Sequence, residues 1–214
     1  MTVGLIENFK QVSQRIRQAE LEAGRAAGAV QLLAVSKTFS AQAVLDLIQA
    51  SPQRHMGENY VQEGVDKILQ LRQWWPAPDL VWHCIGPIQS NKTRAVAEHF
   101  DWVHTVDRWR IAQRLNDQRP AHLPPLQVCV QVNVDGGATK SGVEPQQALE
   151  LARQLTQLPR LSLRGLMTLP DPVEGFAAQR ELHARAHALF QELGQALQLP
   201  HWDTLSMGMS ADLE

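Results

Sequence analysis

Seven short apolar runs alternate along this chain with segments whose apolar residues recur every three or four positions, and this alternation is what most constrains its fold. The runs are "QLLAVSK", "RHMGENY", "VWHCIG", "DWVHTV", "LQVCVQVNV", "LSLRGLMTL" and "WDTLSMGMS". Helices are predicted between them: over 41–50, then one carrying Val61, Val65, Ile68 and Leu69 on one side, then over 91–99, from about 108, over 145–157 and over 175–198. Ser40, Ser90 and Asp107 are the expected N-caps, and Pro145 suits a first helical turn. An extra helix comes first, with Leu5, Phe9, Val12, Ile16, Ala19 and Ala23 along one face and Gly24 and Gly28 loosening its end. Strand-helix alternation implies a parallel sheet with right-handed crossovers, in either a βα barrel or an open doubly wound sheet. Seven strands are awkward for a barrel, which needs eight. No linker, repeat or low-complexity stretch divides the chain, so residues 1–214 read as a single domain.

Composition narrows the function classes. A net charge of −2 gives no basic excess for nucleic acid or an anionic membrane surface. No apolar run reaches the length of a membrane span, and residues 1–20 hold no signal-peptide core. Cys84 and Cys129 both lie in apolar runs, as buried free thiols do in a reducing compartment. A cytoplasmic protein is expected.

In a barrel, chemistry belongs at the C-terminal ends of the strands. Those ends carry Ser36 and Lys37, then Gly57, Glu58, Asn59 and Tyr60, then Gly86 and Pro87, then Asn133 and Asp135, then Met167 and Thr168, and finally Ser206, Gly208 and Ser210. Lys37 has two readings. It either forms a Schiff base or snorkels to solvent with its stem on the core. "SMGMS" suits a phosphate, because small residues let backbone N–H groups and two hydroxyls approach an anion; an ordinary glycine turn reads the same way. "GGATKSG" fails the phosphate-loop pattern, since Thr139 precedes Lys140; a mobile surface loop is the first reading, and Lys140 reaching over the site as a second amine is the second. His183 and His187 stand four apart without the glutamate of a zinc-protease helix. His83 alternates with Val81 and Ile85 on one face of its strand, where a satisfied core histidine is the default. No nucleophile elbow and no dinucleotide fingerprint occurs.

The strings "LLAVSKT", "GENYVQEGVDKI", "WHCIGPIQSNK", "HTVDR", "KSGV", "LRGLMTLP" and "LSMGMS" stand in the order seen in the pyridoxal 5′-phosphate homeostasis proteins, which the chain resembles from about residue 30 onward. That family looks like the barrel half of alanine racemase standing alone. The resemblance implies a TIM (β/α)8-type barrel with an extra N-terminal helix. It implies a protein that buffers or delivers pyridoxal 5′-phosphate without established catalysis, with cofactor-dependent apo-enzymes as partners, and a monomer is expected. It also implies that Lys37 carries the cofactor as an internal aldimine. Asn59, His83 and Met167 should then surround the ring, Ser206, Gly208 and Ser210 should lie near the phosphate, and Lys140 matches a second lysine.

The resemblance implies a continuation past "GMSADLE" into an eighth strand, and the sequence here ends at Glu214, with that strand expected to be either disordered or truncated. The expectation is an incomplete barrel with open edges beside the first and seventh strands, weaker phosphate binding and an empty site. The competing reading is a cofactor-dependent amino-acid racemase. That reaction needs a second acid/base opposite the lysine, and Tyr60 is the only tyrosine. A cofactor-free Schiff-base aldolase is a third, weaker reading.

Overall fold

The computed structural model describes residues 2–137, 141–210 and 212. The chain opens with helix α1 (Thr2–Glu22), which stops before Gly24 and Gly28, both at positive φ. Strand β1 (Ala34–Val35), helix α2 (Ala41–Ala50), β2 (His55–Glu58), α3 (Val61–Trp74), β3 (Val81–Cys84) and α4 (Thr93–His99) follow. Next come β4 (Trp102–Val106), α5 (Trp109–Gln118), β5 (Leu126–Val132), α6 (Pro145–Leu155), β6 (Leu161–Thr168), α7 (Phe176–Leu197) and β7 (Thr204–Ser206). The strands form one parallel sheet in the order β1-β2-β3-β4-β5-β6-β7. A single direction of winding with every strand parallel belongs to a barrel, because a doubly wound sheet reverses its strand order at a switch point.

Curvature is fixed by a side-chain contact. His104 lies on β4 and Ser206 on β7, three places along the sheet. At about 4.8 Å per strand they would stand roughly 14 Å apart in a flat sheet. Instead His104 Nδ1 and Ser206 Oγ are 2.7 Å apart. The sheet therefore curls, and these side chains meet across its concave interior. The helices cover the other face: Met56, Cys84, Val103 and Val128 share one buried cluster with Ile48, Ile68, Leu71, Val96, Ile111 and Leu115.

Several local expectations need correction. β1 is only two residues long, although the Ser36 N–H extends its pairing to the Gly57 carbonyl. The Leu32 carbonyl is bonded to the Gln53 side chain instead of to a ladder partner, which shortens the strand. Leu69 is 43% exposed, because one residue beyond Ile68 lies about 100° round the helix from the buried stripe. Helix α4 starts after Lys92, and Ser90 contributes its carbonyl to the Thr93 hydroxyl in place of a cap. Arg108 holds the cap position of α5, and Asp107 pairs with it. Ser40 does cap α2, accepting the Ala43 N–H.

One buried cluster ties β1 to β2 and α3. Lys67 Nζ donates to Glu58 Oε1 at 2.5 Å and to the Ser36 carbonyl at 2.6 Å. The Ser36 hydroxyl donates to the same Glu58 oxygen at 2.6 Å. Glu58 and Lys67 are almost fully buried. Gly64 makes room for this arrangement, since a Cβ there would stand 2.8 Å from Phe100 Cζ and 3.1 Å from Glu58 Cβ. Removing one member of a buried pair strands the other, at a typical cost of roughly 3–5 kcal/mol. Lys67→Met should therefore lose about that much stability in urea unfolding, and adding Glu58→Gln should recover a large part of it. A Lys67→Met protein as stable as the parent would show that the pair is not holding β1.

Candidate functional site

Because every strand is parallel, all their C-terminal ends lie at one rim of the curled sheet. Lys37 follows β1 at this rim and is exposed. Among the described residues it has no hydrogen-bond or ion-pair partner. The turn that presents it is strained: Thr38 has φ +67, a left-handed conformation unusual for a β-branched residue. Glu63 Oε1 accepts the Thr38 N–H at 2.6 Å and also lies 3.3 Å from Lys67 Nζ. The residues on either side of Lys37 are thus clamped, Ser36 by Glu58 and Lys67, Thr38 by Glu63. The buried lysine of this region is Lys67, whose charge is spent on two carboxylates, while the Lys37 amine is left unengaged.

Asn59 follows β2 beside this turn. Its Oδ1 is buried and, among the described residues, without a hydrogen-bond partner. Gly86, after β3, packs so tightly on Asn59 that a Cβ would approach the Asn59 carbonyl oxygen to 2.0 Å. At the end of β6, Thr168 is buried and its Oγ1 also lacks a partner among the described residues. Met167 is buried and pairs in parallel register with Ser206. Ser206 is half-buried, and Gly208 (φ +83) and Ser210 are exposed in the loop that follows. The Met209 N–H in that loop donates to the Asp212 carboxylate. Lys140 lies outside the described residues.

His83 is a buried histidine satisfied at both ring nitrogens. Its Nε2 lies 2.9 Å from His55 Nδ1, and its Nδ1 lies 2.8 Å from His104 Nε2. With the His104–Ser206 contact this makes a continuous chain of four side chains. Trp102 stacks on His83 at 5.3 Å, and the Arg164 guanidinium covers the Trp102 ring. Burial disfavours the charged imidazoles, pushing His83 down to about 2 and His104 to about 4. For His83 the neighbouring His104 and His55 add to that effect. Burial also pushes both Cys84 and Cys129 thiols up to about 12, so neither is a nucleophile. Sequence reasoning singled out His83 but not His55 or His104. The available signal was a histidine on each of three successive strands.

The predicted residues therefore fall into two groups. Lys37 and Asn59 sit at the β1–β2 margin. Met167, Ser206, Gly208 and Ser210 sit at the β6–β7 margin, with His83 joined to Ser206 through His104. Among the described residues β1 and β7 do not pair, and the curl turns the two margins toward each other. His183 pairs with Asp212, His187 with Gln191, and no group among the described residues has the make-up of a metal site.

A seven-stranded parallel half-barrel with its polar residues at the C-terminal rim defines a class, and comparison agrees: residues 7–214 match the alanine racemase N-terminal domain, and the chain belongs to that family. Alanine racemase of Clostridium difficile shares the fold at TM-score 0.74 and 15% identity, over 97% of this chain and 52% of the enzyme. Within the family, the chain belongs with the pyridoxal phosphate homeostasis proteins. It is 53% identical to the one from Vibrio cholerae over 208 residues, covering 97% of this chain and 87% of that protein. It is 50% identical to the one from Escherichia coli K12, over 98% of this chain and 88% of the relative. PipY of Synechococcus elongatus, solved with pyridoxal phosphate bound, superposes at TM-score 0.76 and 37% identity, covering 94% of this chain and 90% of PipY.

The neutral histidines give this interior a pH dependence. A buried histidine with a lowered pKa binds its proton only in the unfolded chain, so its contribution is complete above the unfolded value near 6.5 and falls as pH drops below it. Each costs about 1.4 kcal/mol between about pH 7.5 and about pH 5.5. Urea unfolding at the two pH values should show a loss of roughly 2–3 kcal/mol, about half of it removed in His104→Gln. Equal stability at both would contradict the buried, neutral assignment.

Proposed function

We propose that this chain binds pyridoxal 5′-phosphate covalently through Lys37 at the barrel rim and holds it for release to other proteins, without turning over a substrate. The carrying observation is the clamped, strained turn that leaves the Lys37 amine exposed and unpaired while Lys67 neutralises the nearby carboxylates. Among the described residues, Lys37 is also the only lysine within two residues of a strand's C-terminal end. When bound, the cofactor supplies an aldehyde that a lysine amine captures with loss of water, and a phosphate that needs hydrogen-bond donors.

The surrounding residues fit such a group. Two buried polar atoms at the rim, Asn59 Oδ1 and Thr168 Oγ1, have no partner among the described residues. Unpaired buried polar atoms are costly unless something satisfies them. Ser206, Gly208 and Ser210 supply small residues and hydroxyls at the opposite margin, where a phosphate is approached closely. Asn59, His83 and Met167 would orient the ring, and Lys140 is proposed as a second amine toward the same ligand. The names of the relatives and the ligand bound by PipY support the same assignment.

The absence of turnover is argued from acid/base groups. Racemisation needs a second proton carrier facing the lysine. Tyr60, the only tyrosine, is 61% exposed at the start of α3. The test is a titration with pyridoxal 5′-phosphate, followed by visible absorbance, on the parent and Lys37→Ala proteins. Lys37→Ala should lose the imine absorbance and bind at least roughly tenfold more weakly, a loss of about 1.4 kcal/mol or more. The loaded parent should reactivate an apo-enzyme and should not racemise alanine faster than free cofactor. Unchanged absorbance in Lys37→Ala, or saturable racemisation by the parent, would overturn the proposal.

A further inference from the structure

The four-membered chain His55–His83–His104–Ser206 runs the length of the barrel interior. His55 is the first residue of β2 and Ser206 the last of β7, so the chain links the N-terminal face of the sheet to the rim. Its three contacts are 2.9, 2.8 and 2.7 Å long, all within hydrogen-bond range. The rings of His83 and His104 are buried, and His55 is half-buried.

Hydrogen-bond counting restricts this chain. A neutral imidazole has one N–H donor and one bare nitrogen acceptor. Each N···N contact needs one of each. With all three rings neutral, only two arrangements satisfy every contact. In one, every ring carries its hydrogen on Nδ1, and His104 donates to Ser206 Oγ. In the other, every ring carries it on Nε2, and the Ser206 hydroxyl donates to His104. Any mixed arrangement sets two hydrogens or two lone pairs against each other in a buried space, which is costly.

The two arrangements differ at the rim. In the Nδ1 arrangement the Ser206 hydrogen is free to donate to an anion beside the 206–210 loop. In the Nε2 arrangement it is already committed to His104. We propose that the three histidines form a tautomeric relay that sets the direction of the Ser206 hydroxyl and couples anion binding at this loop to the imidazole at the far end of the barrel. This inference rests on the cofactor reading above, with the phosphate as the anion.

The exchange balances. Both arrangements hold one N–H per ring and one O–H on Ser206. Passing from the Nε2 to the Nδ1 arrangement moves three hydrogens one place toward His55. Ser206 regains one from water, and His55 Nε2 releases one to water. If His55 instead keeps both hydrogens, its Nδ1–H must donate to His83, which forces the Nδ1 arrangement throughout. A proton on His55 therefore favours an anion at Ser206, and by linkage the anion favours the proton. Burial opposes that proton, and Asp101, at the start of β4, favours it. Other charges near the relay among the described residues include Arg164, which lies over Trp102 and pairs with Asp203, and Arg119 and Arg72, which act on Asp101.

The test is ¹⁵N-imidazole and backbone-amide NMR of the full chain, with and without saturating pyridoxal 5′-phosphate, on the parent and Ser206→Ala proteins. The expected result is Nδ1–H tautomers on His83 and His104 in the loaded parent. Ser206→Ala should bind roughly tenfold more weakly, as for one lost hydrogen bond to a charged group. Its His104 tautomer should no longer follow loading. Nε2–H tautomers in the loaded parent, or a His104 signal that responds equally in Ser206→Ala, would overturn the relay while leaving the cofactor reading intact. If ligand leaves the amides of residues 206–210 unshifted in the parent, both fall together.

Discussion

The buried ion pair between Glu58 and Lys67 is the interaction on which the rest of this molecule depends. It is placed where β2 ends and α3 packs back, and it reaches both the hydroxyl and the carbonyl of Ser36. β1 is otherwise weakly held, with two residues in the sheet and one neighbour among the described strands. Burying two charges is expensive, and one Glu58 oxygen has no partner among the described residues. A hydrophobic pair of similar volume would hold the strand with less desolvation. Carboxylates do something else here: they absorb the charge of Lys67, bond the strained Thr38 amide and fix the direction in which the next lysine leaves the sheet.

The barrel interior solves a different problem with neutral groups. A concave parallel sheet with a ligand rim needs polar side chains inside, and unpaired polar atoms there are costly. Three imidazoles and a hydroxyl satisfy one another in sequence across β2, β3, β4 and β7. The same chain is the physical evidence of curvature, since it closes a gap that a flat sheet leaves open. Charge is thus kept to the edges of the site, and the interior carries polarity without net charge.

Much of this was legible in the sequence. The alternation of apolar runs and helical spacings located seven strands and seven helices, because a parallel strand buried on both faces is a nearly continuous apolar run. Lys37 and "SMGMS" stood out because charged or glycine-rich residues interrupt such runs at one end. What escaped were partnerships. Lys67 looks like an ordinary lysine on an amphipathic helix, and only the packing of α3 on β2 buries it. His55 and His104 look like single polar residues in short strands, and only the sheet register aligns them with His83. The caps of α4 and α5 fall on Lys92 and Arg108 because the nearby serine and aspartate have different partners from those a cap requires. Spacing along a chain reveals elements, while contacts between elements depend on register and crossing geometry that no local pattern carries.

Lys37, positioned by its neighbours, is proposed to be the lysine that receives the cofactor. The chain has five lysines, at positions 10, 37, 67, 92 and 140. The most direct test is to load the protein with pyridoxal 5′-phosphate, reduce it with borohydride, and map the stable pyridoxyl group by peptide mass spectrometry. The expected main product is the modification on Lys37, with a marked fall at that site when Lys67 and Glu58 are both replaced. A main product on any other lysine, or a Lys37 yield indifferent to the loss of the pair, would contradict the proposal.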